Sequence, residues 1–259
     1  MKKKKIFFVI LLSFVLLNCF DEEYVPQLIV RGYFYPEQQI TNIRLSESVD
    51  IGQKYDSLAV AISDAKIYIT TKDNKFMLEE SETRKGSYTS PIKPLPGETY
   101  NIEIFAKDFH ATGQTLIPSQ IQITKAPSDT ISIEEPIPLE WSACDSCYGY
   151  MLTVICRDEI KIPIDSTFEE MRKENAEKDQ IPFFIIKKEI TSIEIPAFFF
   201  WYWGNQVIKI YAIDKSLWDY LRSYSDWASS KPNYHMKGAL GVLAGISVDS
   251  VNVFLKKTR

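Results

Sequence analysis

The chain has 259 residues, 30 Lys and Arg against 34 Asp and Glu, a formal charge of -4, and 45% apolar and 13% aromatic residues. A surface with this acidic balance works against phosphate neutralisation and against broad adhesion to anionic headgroups, which excludes nucleic-acid binding as a function class. The apolar content is enough for one large core or two medium ones, and two of about 100 to 150 residues each is the better reading.

Lys2 to Lys5 form a basic head, Ile6 to Leu17 an apolar run, and Leu16-Leu17-Asn18-Cys19 brings the first cysteine directly after it. Twelve helical residues reach only about 18 Å, against about 30 Å of bilayer hydrocarbon, so the run reads as a secretory signal over 1–18 and not as a span. The order resembles a lipobox, although Asn18 stands where Gly, Ala or Ser is usual. That resemblance implies a diacylated Cys19 as the new first residue, two or three chains on one cysteine making a durable tether. An ordinary cleaved signal peptide is the alternative, but no small-x-small site precedes Asp21. Losing the signal removes four lysines and no acids, so 26 bases face 34 acids, a balance near -8. Asp21, Glu22 and Glu23 then form an acidic tether within 19–27. It resembles the surface-export signal of Bacteroidetes-type lipoproteins, with a solvated linker as the bland alternative.

From residue 28 the pattern is strand after strand. Leu28 to Tyr35 ends at Pro36, and Ile40 to Leu45, Leu58 to Ile62, Ala65 to Thr70, Lys75 to Glu79, Tyr88 to Ser90, Tyr100 to Ala106 and Gln114 to Ile117 follow. Turn residues at Asp73-Asn74, Lys85-Gly86, Pro96-Gly97 and Asp108 separate them. Short strands at this spacing predict an antiparallel sandwich over 28–127. Leu95-Pro96-Gly97-Glu98-Thr99-Tyr100 resembles the turn leading into the corner tyrosine of immunoglobulin-like and fibronectin-like domains, which implies a structural Tyr100.

Pro127, Pro136 and Pro138 discourage a long central strand, and the domain boundary falls near Ser128. The second β domain, 128–259, opens with Leu139-Glu140-Trp141 and a strand from Tyr148 to Arg157 whose Tyr150, Leu152, Val154 and Cys156 share a face. Ser166 with Glu169 makes a capping box, so 166–180 reads as a solvated helix or insertion. Strands resume at Phe183 to Lys187, Thr191 to Ile195, Phe198 to Trp203 and Gln206 to Ile213. Leu217, Tyr220, Leu221 and Tyr224 have helical spacing, which predicts a short helix over 215–224 packed on the sheet. A glycine-spaced segment, Gly238 to Ser247, and a last strand, Ser250 to Leu255, close the chain. The fold class is therefore mainly β, two sandwich-like domains with one or two short helices.

The Val30-Arg31-Gly32-Tyr33 strand, Gly86-Ser87-Tyr88-Thr89-Ser90 followed by Pro96-Gly97-x-x-Tyr100, Tyr148-Gly149-Tyr150, Leu217 to Leu221 and the segment Gly238 to Ser247 occur in an order that resembles a known family. It is the domain-of-unknown-function family DUF4249 of Bacteroidetes outer-membrane lipoproteins, often encoded beside TonB-dependent receptors. The family carries no established activity, so the resemblance implies a pair of β domains on a lipid tether near an uptake pore and no catalytic residue.

Cys144-Asp145-Ser146-Cys147 is the sharpest local motif. Residues three apart in a turn approach within about 7 Å, which suits a local disulfide; free or buried thiols and a metal site are the alternatives. Zinc needs about four ligands and only Cys156, His110 and His235 remain, so no metal or other cofactor is expected. Neither histidine lies in a nucleophile motif, and no phosphate loop, dinucleotide fingerprint or calcium loop occurs, so the chain reads as non-enzymatic. Phe198 to Trp203 is an unbroken aromatic run. On a strand, Phe199, Trp201 and Trp203 point opposite to Phe198, Phe200 and Tyr202. A one-sided sheet buries only one set, which makes Phe199, Trp201 and Trp203 a candidate binding surface unless the helix or the neighbouring domain covers them. The expectation is a surface-exposed lipoprotein serving a TonB-dependent transporter as a non-enzymatic accessory or ligand-capture protein; the alternative is a carbohydrate- or peptide-binding adhesin acting without one.

Overall fold

The computed structural model describes residues 24–164, 183–225 and 235–257. Its first eight strands are β1 (Leu28–Phe34), β2 (Ile40–Glu47), β3 (Lys66–Thr70), β4 (Lys75–Met77), β5 (Glu79–Glu80), β6 (Ser87–Ser90), β7 (Thr99–Ala106) and β8 (Phe109–Leu116). They form two facing sheets, β1-β2-β6-β5 and β4-β3-β7-β8. Period-two alternation sends Leu28, Val30 and Phe34 of β1 and Tyr100, Ile102 and Ile104 of β7 into one core, while the residues between them face outward. Each fully buried Ile or Leu contributes about 1.5–3 kcal/mol. The strand order is that of an immunoglobulin- or fibronectin-like sandwich. The corner tyrosine does its expected work: Tyr100 accepts the Leu95 N–H at 2.9 Å and donates to Glu98 at 3.0 Å.

Two expectations shift in this lobe. Leu58 to Ile62 is not a strand, because Asp56 Oδ1 takes the N–H groups of Leu58 (2.9 Å) and Ala59 (3.3 Å) and folds the segment into a turn. The strand expected from Gln114 starts instead at Phe109. A tight Lys107-Asp108 turn, with Lys107 at φ 51°, pairs Ala106 with Phe109 and sets β8 along the whole of β7.

The second lobe repeats the pattern with β9 (Ile123–Lys125), β10 (Thr130–Ile131), β11 (Pro138–Trp141), β12 (Gly149–Cys156), β13 (Ile162–Pro163), β14 (Phe183–Lys187), β15 (Ser192–Glu194) and β16 (Tyr202–Ile213). Helix α1 (Lys215–Ser225), β17 (Met236–Lys237) and β18 (Leu240–Leu255) follow. The small sheet β15-β11-β9 accompanies β14-β12-β16-β18, and a second core gathers Leu139, Trp141, Tyr150, Leu152 and Ile210. Asp214 caps α1 by accepting the Leu217 N–H at 2.9 Å. The helix lays Leu217 and Trp218 against Ile213, Val242 and Ile246, a third apolar cluster. Gly149 makes room for it, since a Cβ there would lie 2.2 Å from the Trp218 ring.

The separate glycine-rich segment and last strand of the sequence reading are one strand, β18. Its first part, Leu240 to Gly245, pairs in parallel with Ile29 to Phe34 of β1. Its second part, Ile246 to Leu255, pairs antiparallel with Ile213 to Gly204 of β16. A ten-stranded sheet therefore runs through both lobes. The glycines permit the approach: a Cβ on Gly241 would sit 2.0 Å from the Val30 carbonyl oxygen, and one on Gly245 2.2 Å from that of Leu116.

Candidate functional site

Cys19, Asp21, Glu22, Glu23 and the helical insertion 166–180 lie outside the described residues. Among those described, no helix is long and apolar enough to cross a membrane.

The aromatic run does not follow strand parity. Pro196 starts a 3-10 turn, Ala197–Phe199, so the chain turns before β16 begins at Tyr202. Phe199 and Phe200 fall side by side into the second core, and Phe199 is only 4% exposed. This corrects its place in the candidate surface: a turn, unlike a strand, can bury two neighbours at once. Trp203 packs on the same core, and Trp201 is half-buried with its carbonyl accepting the Ile164 N–H at 3.0 Å. Phe198 is the open ring, at 71% exposure, with its centroid 4.9 Å from that of Phe199, which in turn meets Phe184 at 5.9 Å. Ile160, Ile162 and Phe184 are also exposed. Pairing of Ile162 with Trp203 brings β13 to this end of the lobe, and Asp158 secures the loop by accepting the Asn205 N–H (2.9 Å) and side-chain amide (2.7 Å). Sequence reasoning missed the two isoleucines because Ile160 is isolated within the charged stretch from Arg157 to Lys161 and Ile162 stands alone between Lys161 and Pro163.

Cys144 and Cys147 are buried free thiols in a tight turn. The Cys147 thiol donates to the Cys144 carbonyl at 3.2 Å, and the Cys144 N–H donates to Tyr150 Oη at 2.9 Å. Hydrogen bonding between the thiols lowers the pKa of Cys144 and raises that of Cys147. Burial pushes Tyr150 up to about 12. The turn is fastened at both sides, with Ser146 Oγ accepting the Ser119 N–H at 2.6 Å and Lys188 Nζ donating to the Asp145 carbonyl at 2.5 Å. The turn thus holds two free thiols side by side, with Cys144 the more acidic. Cys156 is half-buried and its thiol donates to the Trp203 carbonyl at 3.9 Å.

Between this turn and α1 lies a cleft of about 540 Å³ lined by Asp145, Tyr148, Lys215 and His235 among others. Asp219 holds it together: its carboxylate takes His235 Nε2 at 2.7 Å and the Lys215 ammonium. Burial works against that charge, but the hydrogen bonds from Lys215 and His235 win and hold the carboxyl below its usual range. His110 is elsewhere, stacked on Phe105 at 4.7 Å with Nε2 3.3 Å from Glu103. The two histidines are thus kept apart, each beside its own carboxylate. Among the described residues no three of His, Cys, Asp and Glu gather as a metal-holding group.

Comparison with known proteins adds a family and three likenesses. The family described as domain of unknown function (DUF4249) matches residues 19–233. No curated protein matches the chain. Among solved structures, the chain is similar to the fibronectin(III)-like modules of Clostridium thermocellum CbhA, with 15% identity, 90% of this chain and 94% of that chain covered, and a TM-score of 0.27. It is also similar to the chicken CNTN1 FN1-FN3 domains (9% identity, 88% and 66% covered, TM-score 0.26). A segment of two fibronectin type-III domains from chicken tenascin is the third (13% identity, 85% and 97% covered, TM-score 0.23). At these scores the likenesses transfer no residue role.

Proposed function

This chain belongs to the DUF4249 family of unknown function, and from that premise we propose that it is an outer-membrane lipoprotein exposed at the cell surface. In this reading acyl chains on Cys19 hold it, and it serves a TonB-dependent transporter as a non-enzymatic accessory or ligand-capture protein. The observation that carries the binding role is the open apolar end of the second lobe, where Phe198, Ile162 and Phe184 stay exposed beside a well-packed core. Large apolar side chains left open on a rigid scaffold suit a docking face, because burying them on a partner gains about 25 cal/mol per Å² without ordering new chain. The basic head, apolar run and first cysteine support the anchor. The acidic residues Asp21, Glu22 and Glu23 support export to the outer face.

The test is co-purification from detergent-solubilised membranes with a tag on the mature chain. A large β-barrel receptor is expected with the wild type and is expected to be lost with Phe198→Ser plus Ile162→Ser. A clean monomer from wild-type membranes refutes the accessory role. Glycan-array binding without a receptor would transfer support to the adhesin. Cys19→Ser should release the protein from the membrane fraction, and unchanged fractionation would remove the anchor from the scheme.

A further inference from the structure

The outer face of the first lobe carries a cleft of about 560 Å³ lined by Arg31, Arg44, Arg84 and Lys85 and by no carboxylate. In a chain with more acids than bases, four cations around one hollow of ligand size call for a reason. The sheet register makes the case sharper. Arg31 on β1 and Arg44 on β2 are direct cross-strand partners, both outward because Val30, Ile43 and Leu45 beside them point into the core. Like charges directly opposite each other destabilise a strand pair unless something negative lies between them.

Of the carboxylates on the chain around the cleft, Glu82 on the β5–β6 loop is exposed and does not line it, while Glu80 and Asp56 are turned to backbone N–H groups. Glu80, which pairs with Tyr88 across the β5–β6 hairpin, accepts Gly86 N–H at 2.7 Å and Asp64 N–H at 3.0 Å. Asp56 is engaged by Leu58 and Ala59. Arg44 Nε is steadied by Asn42 Oδ1 at 3.1 Å, and among the described residues no carboxylate lies within ion-pair distance of any of the four cations, Glu80 attracting Lys85 only from farther off. Tyr55 (60% exposed) and Leu58 (68% exposed) add an apolar wall to the same hollow.

We propose that this cleft is a binding site for a phosphate monoester or a comparable dianionic oxyanion carried on a ring-bearing small molecule. Arginine forks recognise such oxygens in bidentate fashion, which places Arg31 and Arg44 beneath the anion. Arg84 and Lys85 reach it from the β5–β6 loop, and Tyr55 with Leu58 takes the attached ring. The site is on the other lobe from the apolar end at Phe198, so its occupancy does not depend on a receptor.

Thermal unfolding of the mature chain at fixed ionic strength tests it, with inorganic phosphate, glucose 6-phosphate and glucose as probes. Both anions should raise Tm by about 5–10 °C at a hundredfold excess over Kd, and glucose should not. A shift with glucose 6-phosphate exceeding that with inorganic phosphate supports the apolar wall. Arg44→Gln and Arg31→Gln should each weaken the anion Kd at least tenfold without lowering Tm in anion-free buffer, while Lys75→Gln on the opposite sheet keeps the wild-type Kd. Arg84→Gln, on the loop and outside the sheet, is a second variant for the same loss. No anion-dependent shift in the wild type, or a shift that survives the Arg31, Arg44 and Arg84 substitutions, overturns the proposal.

Discussion

Replacing Gly241 with Ala puts the joint between the lobes to a quantitative test. Gly241 has φ +99° and pairs with Val30, and its new Cβ would lie 2.0 Å from the Val30 oxygen, 3.0 Å from its carbon and 3.2 Å from its nitrogen. All three atoms are backbone, so no side chain can swing away. The left-handed backbone costs Ala about 1 kcal/mol, and the displaced ladder adds an overpacking cost of about 2 kcal/mol. Gly97 is the internal reference, because it has φ +78° with nothing within 4 Å of the new Cβ and bears only the conformational cost. Thermal unfolding by circular dichroism should then drop by about 6–12 °C for Gly241→Ala and about 2–4 °C for Gly97→Ala. Equal losses in the two variants would refute the close parallel pairing of β1 with β18.

Other outcomes follow from burial and hydrogen bonding. Burial raises the pKa of Asp214, against the lowering effect of hydrogen bonds from Leu217 and Thr115, the latter at 2.8 Å. A carboxyl that holds its proton more tightly when folded stabilises fully below its unfolded pKa and loses that contribution as pH rises through the folded one. Asp214→Asn, which preserves the cap, should therefore gain on the wild type in Tm between pH 4 and pH 7, and a pH-independent offset would refute this. Phe199→Ala should cost about 3–5 kcal/mol in urea unfolding, whereas Phe198→Ala should stay within about 0.5 kcal/mol; similar losses would restore the alternating-face arrangement. Tyr100→Phe should cost about 0.5–1.5 kcal/mol, because the Leu95 N–H and the Glu98 carboxylate lose their shared partner, and an unchanged urea midpoint would dispose of the corner as a structural device.

The sandwich was legible where alternation is carried by large side chains. In β7, Tyr100, Ile102 and Ile104 announce a buried face by themselves, and the preceding Pro96-Gly97 turn marks the corner. β8 was half hidden because its inward positions, Ala111, Gly113 and Thr115, are small or polar and leave no apolar period to read. The run from Phe198 was misjudged for the opposite reason: six aromatics look like a strand on propensity, yet Pro196 sets a turn that lets two neighbours enter the core. Gly238, Gly241 and Gly245 were visible as spaced glycines, but their purpose depends on His110, Val30 and Leu116, more than a hundred residues away, and local pattern holds no trace of such a partner. The same holds for Arg31 and Arg44, ordinary exposed residues until the register sets them opposite each other. Glycine spacing thus announced a close approach without its target.

The shared strand has a mechanical corollary. A polypeptide hanging from Cys19 would transmit any outward tug along β1, the first strand after the tether, and β1 lies between β2 and the opening half of β18. Force along its axis meets two hydrogen-bonded ladders in shear, which must slip together, and is not delivered rung by rung as in unzipping. The strand that bears the tug is thus gripped on one side by the opening half of β18. Tension would load a clasp closed by β1 and β18, with neither lobe able to yield at β1 without disturbing the strand that the other lobe uses.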